Sequence, residues 1–574
     1  MKSNKVNIGQ LYIGSNNSIA IQSMANTDTN NIDETIKQCK LLFDNGSELV
    51  RITVPSKKEV EKIKIIKQKL IADDYTKPII ADIHYNPDLA LLVAPFIDKI
   101  RINPGNYIEK KHTSDNQAKL KLKENFLPLI KECKKYHTAI RIGANYGSLS
   151  ERILRKYGNT PLGMVKSVED FIEICEHEKF QDIVISMKAS DPRIMVKACR
   201  LIQLKMMSNN NIYPQHLGVT EAGNGNDARI KSAIGIGTLL SEGIGDTIRV
   251  SLTEKPVDEL PVAKKIVEFF NYKNKNKIVD NSKISNIKTN YTINNKYTVI
   301  SDYLNNEELT DADFYFIENR QNNLKSDNKY IIDNKYWIEQ DNLFPSFTVE
   351  SYFESKINSN KYNFIIDKIA NFNSNAIARI EKDNTVIIIA DLSEFNNIFT
   401  LRNNYNNFVA KINNTPIIIR KKYTESFNDF IIKSAGEVGS VFIDKLAGGL
   451  WLQNINIKPQ ETIETTFSIL QATKVLISKT EYISCPTCGR TKFDIEAITT
   501  EIKQKTSNFK GVTIAIMGCI VNGPGEMADA NYGYVGAGNN LVHLYKNGKI
   551  FMKNINPENA VDLLLEIIKN TNIH

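Results

Sequence analysis

Along the first part of the chain, short apolar runs end in polar or basic clusters, and each is followed by a longer stretch of helical periodicity. The runs close on IAIQSMANTDT, ELVRITVPS, PIIADIHYN, DKIRINPGN, TAIRIGANYGS, DIVISMKASD, PQHLGVTEAG and DTIRVSLTE. Segments such as ERILRKYGNTPLGMVKSVEDFIEICEHE separate them. A strand followed by a helix, repeated eight times in about 250 residues, predicts an α/β fold: a (β/α)8 TIM barrel over residues 1–270.

In such a barrel the chemistry sits at the C-terminal ends of the strands. Those ends carry Arg51, Asp82, His84, Arg101, Asn103, Arg141 and Asn145 in the first half, and Lys188, Ser190, Thr220, Glu221, Arg249 and Ser251 in the second. Guanidinium forks bind phosphate in pairs of hydrogen bonds, and a lysine adds a point charge. Convergence of Arg51, Arg101, Arg141, Lys188 and Arg249 on one mouth predicts a small, strongly anionic ligand, most naturally a diphosphate. The plainer alternative is a set of barrel-end ion pairs with Asp82, Glu221 and Asp246. It accounts for one arginine more easily than for five cations, because like charge buried without an anion is costly.

The middle of the chain repeats the end of this pattern. Ile-Lys-Ser-Ala at 230–233 recurs at 432–435, an offset of 202. The same offset carries Gly237 to Gly439 and lays DIVISMKAS over NTVIIIADL. Arg249 then corresponds to Trp451, Lys188 to Ala390, His216 to Ile418 and Glu221 to Tyr423. Apolar spacing persists while the anion-binding side chains are gone, so residues 271–455 are expected to form a degenerate, barrel-like α/β insertion domain without a catalytic site. The similarity covers its last third and leaves open whether it closes with eight strands.

Residues 456–574 have a third pattern. TEYISCPTCGR reads as a strand entering a tight loop, FDIEAITTEIKQKT as a helix, and GVTIAIMGCIVNGPGE as an apolar strand ending in a Gly/Pro loop. LVHLYKNGKIFMKNI alternates about Asn547-Gly548, a hairpin signal, and NPENAVDLLLEIIKN closes as a helix. This predicts a small α+β domain with Cys485, Cys488 and Cys519 in its loops. Three cysteines are one ligand short of a structural zinc site, and His543, inside a hairpin strand, has no ligand spacing. A [4Fe–4S] cluster accepts three thiolates and leaves one iron open; Glu526, in the loop of Cys519, could occupy that place. Spacing favours the cluster over zinc and over three unliganded thiols.

Composition narrows the class further. Hydrophobic residues make up 42 % and charged residues 24 % of the 574, ordinary for a globular protein, and the net charge of +8 does not indicate nucleic acid. No window reads as a membrane span or a secretory signal, so a cytoplasmic protein without membrane association is expected. Cys39, Cys133, Cys175 and Cys199 lie scattered in apolar or helical contexts and read as plain thiols.

The strings SCPTCGR, GCIVNGPGEMADA, IQSMANTDT, ADIHY, RINPGN, RIGAN, KASD, TEAG and SAIGIGTLLSEGIGDTIRVSL together resemble the 4-hydroxy-3-methylbut-2-en-1-yl diphosphate synthases of non-mevalonate isoprenoid biosynthesis, in their long, three-domain form. The resemblance covers the barrel and the cysteine domain almost end to end and transfers nothing to the insertion. It implies a two-electron reductive ring opening and dehydration of 2-C-methyl-D-erythritol 2,4-cyclodiphosphate. It implies a [4Fe–4S] cluster on Cys485, Cys488, Cys519 and Glu526, with Glu526, Glu221 and Asn522 as catalytic residues. The barrel-mouth residues above would bind substrate, and flavodoxin or ferredoxin would supply electrons. A homodimer is expected, and the sequence leaves open whether the cluster domain caps its own barrel or a partner's. Because such carriers are typically acidic, some of Lys492, Lys503, Lys505 and Lys510 are expected to form a docking face close to the cluster, the plainer alternative being the solvated face of a helix.

Overall fold

The computed structural model describes residues 2–571 apart from 84–85, 108–113, 272–280, 282–290, 304–310, 320–323, 489–490, 492, 521–524, 526, 528–529 and 539. The chain divides into two compact units. One comprises Met1–Leu240, Ile244–Asn274 and Lys479–His574, and the other Ser241–Gly243 and Lys275–Ser478.

The first unit opens with a hairpin of β1 (Val6–Ile8) and β2 (Leu11–Ile13). The barrel follows with β3 (Ala20–Met24), β4 (Leu49–Thr53), β5 (Ile79–Asp82), β6 (Lys99–Ile102), β7 (Ala139–Asn145), β8 (Ile183–Lys188), β9 (His216–Leu217) and β10 (Thr247–Ile248). All pair in parallel in the order β8-β7-β6-β5-β4-β3-β10-β9. A bridge between Ile185 and Gln215 brings β8 to β9 and completes the ring. Val6, Ile8 and Ile13 pack with Ala20, Leu49, Ala139 and Val184, so the hairpin plugs the floor of the barrel. Successive residues of a strand alternate between core and helix layer. This alternation turns Arg51, Arg101, Arg141, Lys188 and Arg249 inward above the apolar floor.

The second unit is itself a closed barrel of eight parallel strands: β11 (Thr298–Asp302), β12 (Phe314–Ile317), β13 (Tyr330–Asp333), β14 (Leu343–Phe347), β15 (Asn363–Lys368), β16 (Val386–Asp391), β17 (Ile417–Tyr423) and β18 (Gly449–Asn454). Its interior is apolar and aromatic. Trp451 is fully buried among Phe314, Phe344, Phe364 and Ile389. The unit ends later than the division at 455 suggested by sequence. The helix Pro459–Ala472 packs on β18, on β11 and on the helix Phe427–Ile443, so it covers this barrel and the boundary falls at Ser478.

The last part returns to the first unit. β19 (Glu481–Ser484), β20 (Thr513–Met517), β21 (Tyr532–Gly536), β22 (Val542–Lys546) and β23 (Lys549–Ile555) form one sheet in that order. The helices Ile495–Thr506 and Pro557–Thr571 cover one face, where Ile502, Ile514, Ile516, Leu544 and Leu564 form the core. This is the α+β domain expected for the cysteines.

Candidate active site

The cysteine-bearing sheet sits on the mouth of the barrel in the same chain. Ala222, in the loop after β9, pairs as a β-bridge with Ser484, the residue before Cys485. Thr253 Oγ1 lies 2.6 Å from Ser484 Oγ and 3.1 Å from the Cys485 carbonyl oxygen. Lys231 donates to the Tyr482 carbonyl at 3.2 Å and pairs with Glu481 at 3.4 Å; both side chains are buried. Asn26 Nδ2 donates to Thr487 Oγ1 at 2.9 Å. A Cβ added to Gly525 would lie 1.9 Å from the Gly147 carbonyl oxygen, so only glycine admits this approach of the Cys519 loop to the end of β7.

Under this cap lies one cavity. Its barrel wall includes Arg51, Arg101, Arg141, Lys188 and Arg249, with Asp82, Asn145, Thr220, Glu221 and Ser251; its roof is Cys485, Pro486, Cys488, Met517 and Cys519. The cations crowd one another. Arg101 approaches Asp82 at 3.5 Å and donates to the Gly143 carbonyl at 3.2 Å. Arg141 donates to Ser186 Oγ at 2.9 Å, while its Nε and Nη2 have no hydrogen-bond partner among the described residues. Burial, then Arg51 and Arg101, push the Arg141 pKa well down from its usual range. Burial, then Arg141, Arg51, Arg249 and Arg101, do the same to Lys188. A site whose positive groups lower one another in this way favours a multiply charged anion.

Two residues missed in the sequence organise this wall. Met24 places its thioether 3.2 Å from Arg51 Nε and 3.4 Å from Arg249 Nη1, between the two guanidinium groups. Glu259 faces Arg249 with hydrogen bonds of 3.1 and 3.3 Å. A methionine ending a strand reads as core, and a carboxylate at the start of a helix reads as ordinary end chemistry, so neither stands out in one sequence.

Not every expected residue faces the cavity. Asn103 accepts from Gly105 N at 3.1 Å and donates to Ser148 Oγ at 3.0 Å, so it shapes the loop after β6 and is not among the lining residues. Ser190 is half-buried and likewise outside the lining set. His84, Asn522 and Glu526 lie outside the described residues. Glu221 is inside the cavity on strained backbone, with φ of 49°, a left-handed conformation rare for a side chain of its kind.

The roof suits a thiolate-held group. Gly518 N donates to Cys485 Sγ at 3.2 Å, and the Cys488 N–H donates to Thr491 Oγ1 at 3.2 Å. Burial pushes the Cys485 thiol up; Cys488, Glu221 and Cys519 push it further in the same direction. Three thiolates beside a carboxylate therefore require a strongly cationic partner to coexist. Among the described residues no three such side chains are arranged around a single metal ion. Three cysteines on one roof fit a group that takes three thiolates and finds its fourth ligand elsewhere. Cys39, Cys133, Cys175 and Cys199 are buried elsewhere; burial raises Cys39 and Cys199 to about 12, as inert core thiols.

Two of the lysines expected to form a docking face have partners within the chain. Lys503 donates to the Asn224 carbonyl at 3.1 Å, within the seam between sheet and barrel, and Lys505 pairs with Glu501 at 2.9 Å and Asp562 at 2.7 Å. Lys492 lies outside the described residues, and Lys510 is exposed. A helix face read from sequence does not say which side meets a neighbour, and here Lys503 faces inward. Among the described residues no helix is long and apolar enough to cross a membrane.

The GcpE TIM-barrel domain matches residues 3–264, and the GcpE protein C-terminal domain matches residues 481–570. The chain is 39 % identical to the 4-hydroxy-3-methylbut-2-en-1-yl diphosphate synthase (flavodoxin) of Parabacteroides distasonis, over 99 % of this chain and 97 % of that one. It is 40 % identical to the protein of the same name from Phocaeicola vulgatus, over 99 % and 97 %, and 35 % identical to that of Leptospira interrogans, over 100 % and 97 %. Matched at both ends and aligned through the insertion to relatives of its own length, this chain belongs to the GcpE family of 4-hydroxy-3-methylbut-2-en-1-yl diphosphate synthases.

Proposed function

We propose that this chain reductively opens 2-C-methyl-D-erythritol 2,4-cyclodiphosphate and removes water to give 4-hydroxy-3-methylbut-2-enyl diphosphate, with electrons from reduced flavodoxin. The observation that carries the reading is the single cavity walled by five cations and roofed by three thiols. Its family membership supplies the reaction, and its full-length relatives carry flavodoxin in their names.

Arg51, Arg101, Arg141, Lys188 and Arg249 hold the diphosphate, with Ser251, Thr220 and Asn145 as neutral partners around it. Cys485, Cys488, Cys519 and Glu526 would hold a [4Fe–4S] cluster, which supplies electrons one at a time. Ring opening breaks a carbon–oxygen bond and leaves a new negative charge on the diphosphate, which the cationic wall stabilises as it forms. The second carbon–oxygen bond releases hydroxide that must leave as water, so the balance is two electrons and one proton. Glu221, fixed on strained backbone between the anion wall and the thiols, is placed to hold and deliver that proton. Asn522 is proposed to orient the Cys519 loop or the substrate, and His84, Asn103 and Ser190 to support substrate binding. The insertion barrel is proposed to be a scaffold: Arg420 lies 3.6 Å from Asp391 and stacks 4.3 Å above the Trp451 ring, where the first barrel has Arg249. Because the cap closes on its own barrel, a dimer is not needed to complete the cavity.

The test is conversion of the cyclodiphosphate by anaerobically reconstituted protein with and without reductant. Product forming only with reduced flavodoxin or a chemical reductant supports the reading. Water loss at the same rate without reductant would instead indicate a redox-neutral hydro-lyase.

A further inference from the structure

Glu259 begins the helix Glu259–Phe270 and is buried. Its carboxylate does three things. Oε1 accepts from Arg249 Nη2 at 3.1 Å and Oε2 from Arg249 Nε at 3.3 Å, a two-point grip on one guanidinium. Oε1 also accepts the Leu252 N–H at 3.2 Å, which fixes the backbone between Ser251 and Thr253. Ser251 lines the anion cavity, and Thr253 touches Ser484 and the Cys485 carbonyl. One carboxylate therefore restrains an anion-binding side chain and the short segment that links the anion wall to the cysteine loop.

We infer that Glu259 is a positioning residue for this reaction: it aims Arg249 at the diphosphate and holds the Ser251–Thr253 segment in register with the cysteine loop. This rests on the reading of the cavity as a diphosphate site. Burial raises the Glu259 carboxyl above its usual range, and Arg249, the hydrogen bonds to Arg249 and Leu252, and Arg51 oppose that push in part. The first turn of a helix also favours an anion. The plainer alternative is a helix-end carboxylate paired with the nearest arginine for stability alone. The geometry argues against this, since the arginine's other side is the cavity wall and the same carboxylate reaches the segment beneath the cap.

The distinguishing experiment is a double-mutant cycle on Glu259 and Arg249, read by KM and kcat for the cyclodiphosphate with a small chemical reductant and by inorganic diphosphate binding in calorimetry. Glu259→Gln is expected to raise KM about tenfold and weaken diphosphate binding by a similar factor, with kcat changed less than threefold. In an Arg249→Ala background the same change should add less than twofold to KM and to diphosphate binding, because the arginine is gone and a glutamine oxygen still accepts the Leu252 N–H. Glu259→Asp, which keeps the charge one methylene short, should fall between wild type and Glu259→Gln. It carries the cycle if Glu259→Gln does not fold. Effects that multiply across the two sites, or a lower melting temperature with KM and diphosphate binding unchanged, would overturn the inference. Wild-type protein that neither binds diphosphate nor converts the cyclodiphosphate would overturn the reading of the cavity, and the inference with it. Wild-type binding and turnover with additive mutants would overturn only the role of Glu259.

Discussion

The hydroxyl of Thr253 lies 2.6 Å from that of Ser484, and so ties the segment after β10 to the residue that precedes Cys485. A net hydrogen bond is worth about 1 kcal/mol, and more when a buried partner is left unsatisfied. Thr253→Val keeps the shape and removes the donor. Turnover with a small reductant should fall roughly five- to tenfold, on the order of 1 kcal/mol, with the melting temperature nearly unchanged. Unchanged turnover would show that the tie has no part in seating the cysteine loop.

Because Ser484, Glu481 and Tyr482 meet Thr253 and Lys231 of the same chain, each chain builds its own site. Co-expressed Cys485→Ser and Arg249→Ala chains, purified as a mixture, should show no activity above that of each alone. Capping across a dimer would instead restore roughly a quarter of wild-type activity, from mixed dimers that retain one intact site.

Lys503 lies in the seam with its pKa lowered to about 8, mainly by burial. Below pH 8 the folded and unfolded chains both carry the charge, and the cost of burying it is complete. Between pH 8 and the ordinary lysine range the unfolded chain binds more protons, so stability rises with pH. The stability advantage of Lys503→Met over wild type should therefore be largest at pH 7 and shrink toward pH 10, by at most about 3 kcal/mol. A difference independent of pH, from chemical denaturation, would show that Lys503 is not held in this way.

Trp451 replaces the arginine of the first barrel with an indole buried against Phe316, at a ring separation of 5.0 Å. Trp451→Ala should cost about 3–5 kcal/mol of stability, measured by denaturant unfolding, and leave the kinetics of the folded fraction within twofold. Loss of turnover without loss of stability would give the insertion barrel a part in catalysis.

Much of this fold is legible in sequence because the barrel repeats one signal, an apolar run ending in a charged side chain. Arg51, Arg101, Arg141, Lys188 and Arg249 reach one wall through strand alternation alone. What is not legible depends on contacts far apart in sequence. The helix Pro459–Ala472 gives no sign in sequence of which barrel it covers, so the pattern points to 455 while the compact unit runs to Ser478. Closure of the insertion barrel rests on the pairing of β11 with β18, and only the latter lies within the detectable repeat. Lys503 reads as solvated until the sheet is set against Asn224. Glu259 and Met24 acquire meaning only from the guanidinium groups they touch.

The central claim is that the anion wall and the three thiols form one site. The most direct measurement is the electron paramagnetic resonance spectrum of the anaerobically reconstituted, reduced protein during titration with inorganic diphosphate or the cyclodiphosphate. The spectrum is expected to shift with the same half-saturation as calorimetric binding, and the shift to move to much higher concentration in Arg141→Ala. Ligand that binds by calorimetry and leaves the spectrum unchanged at saturation would contradict the central claim.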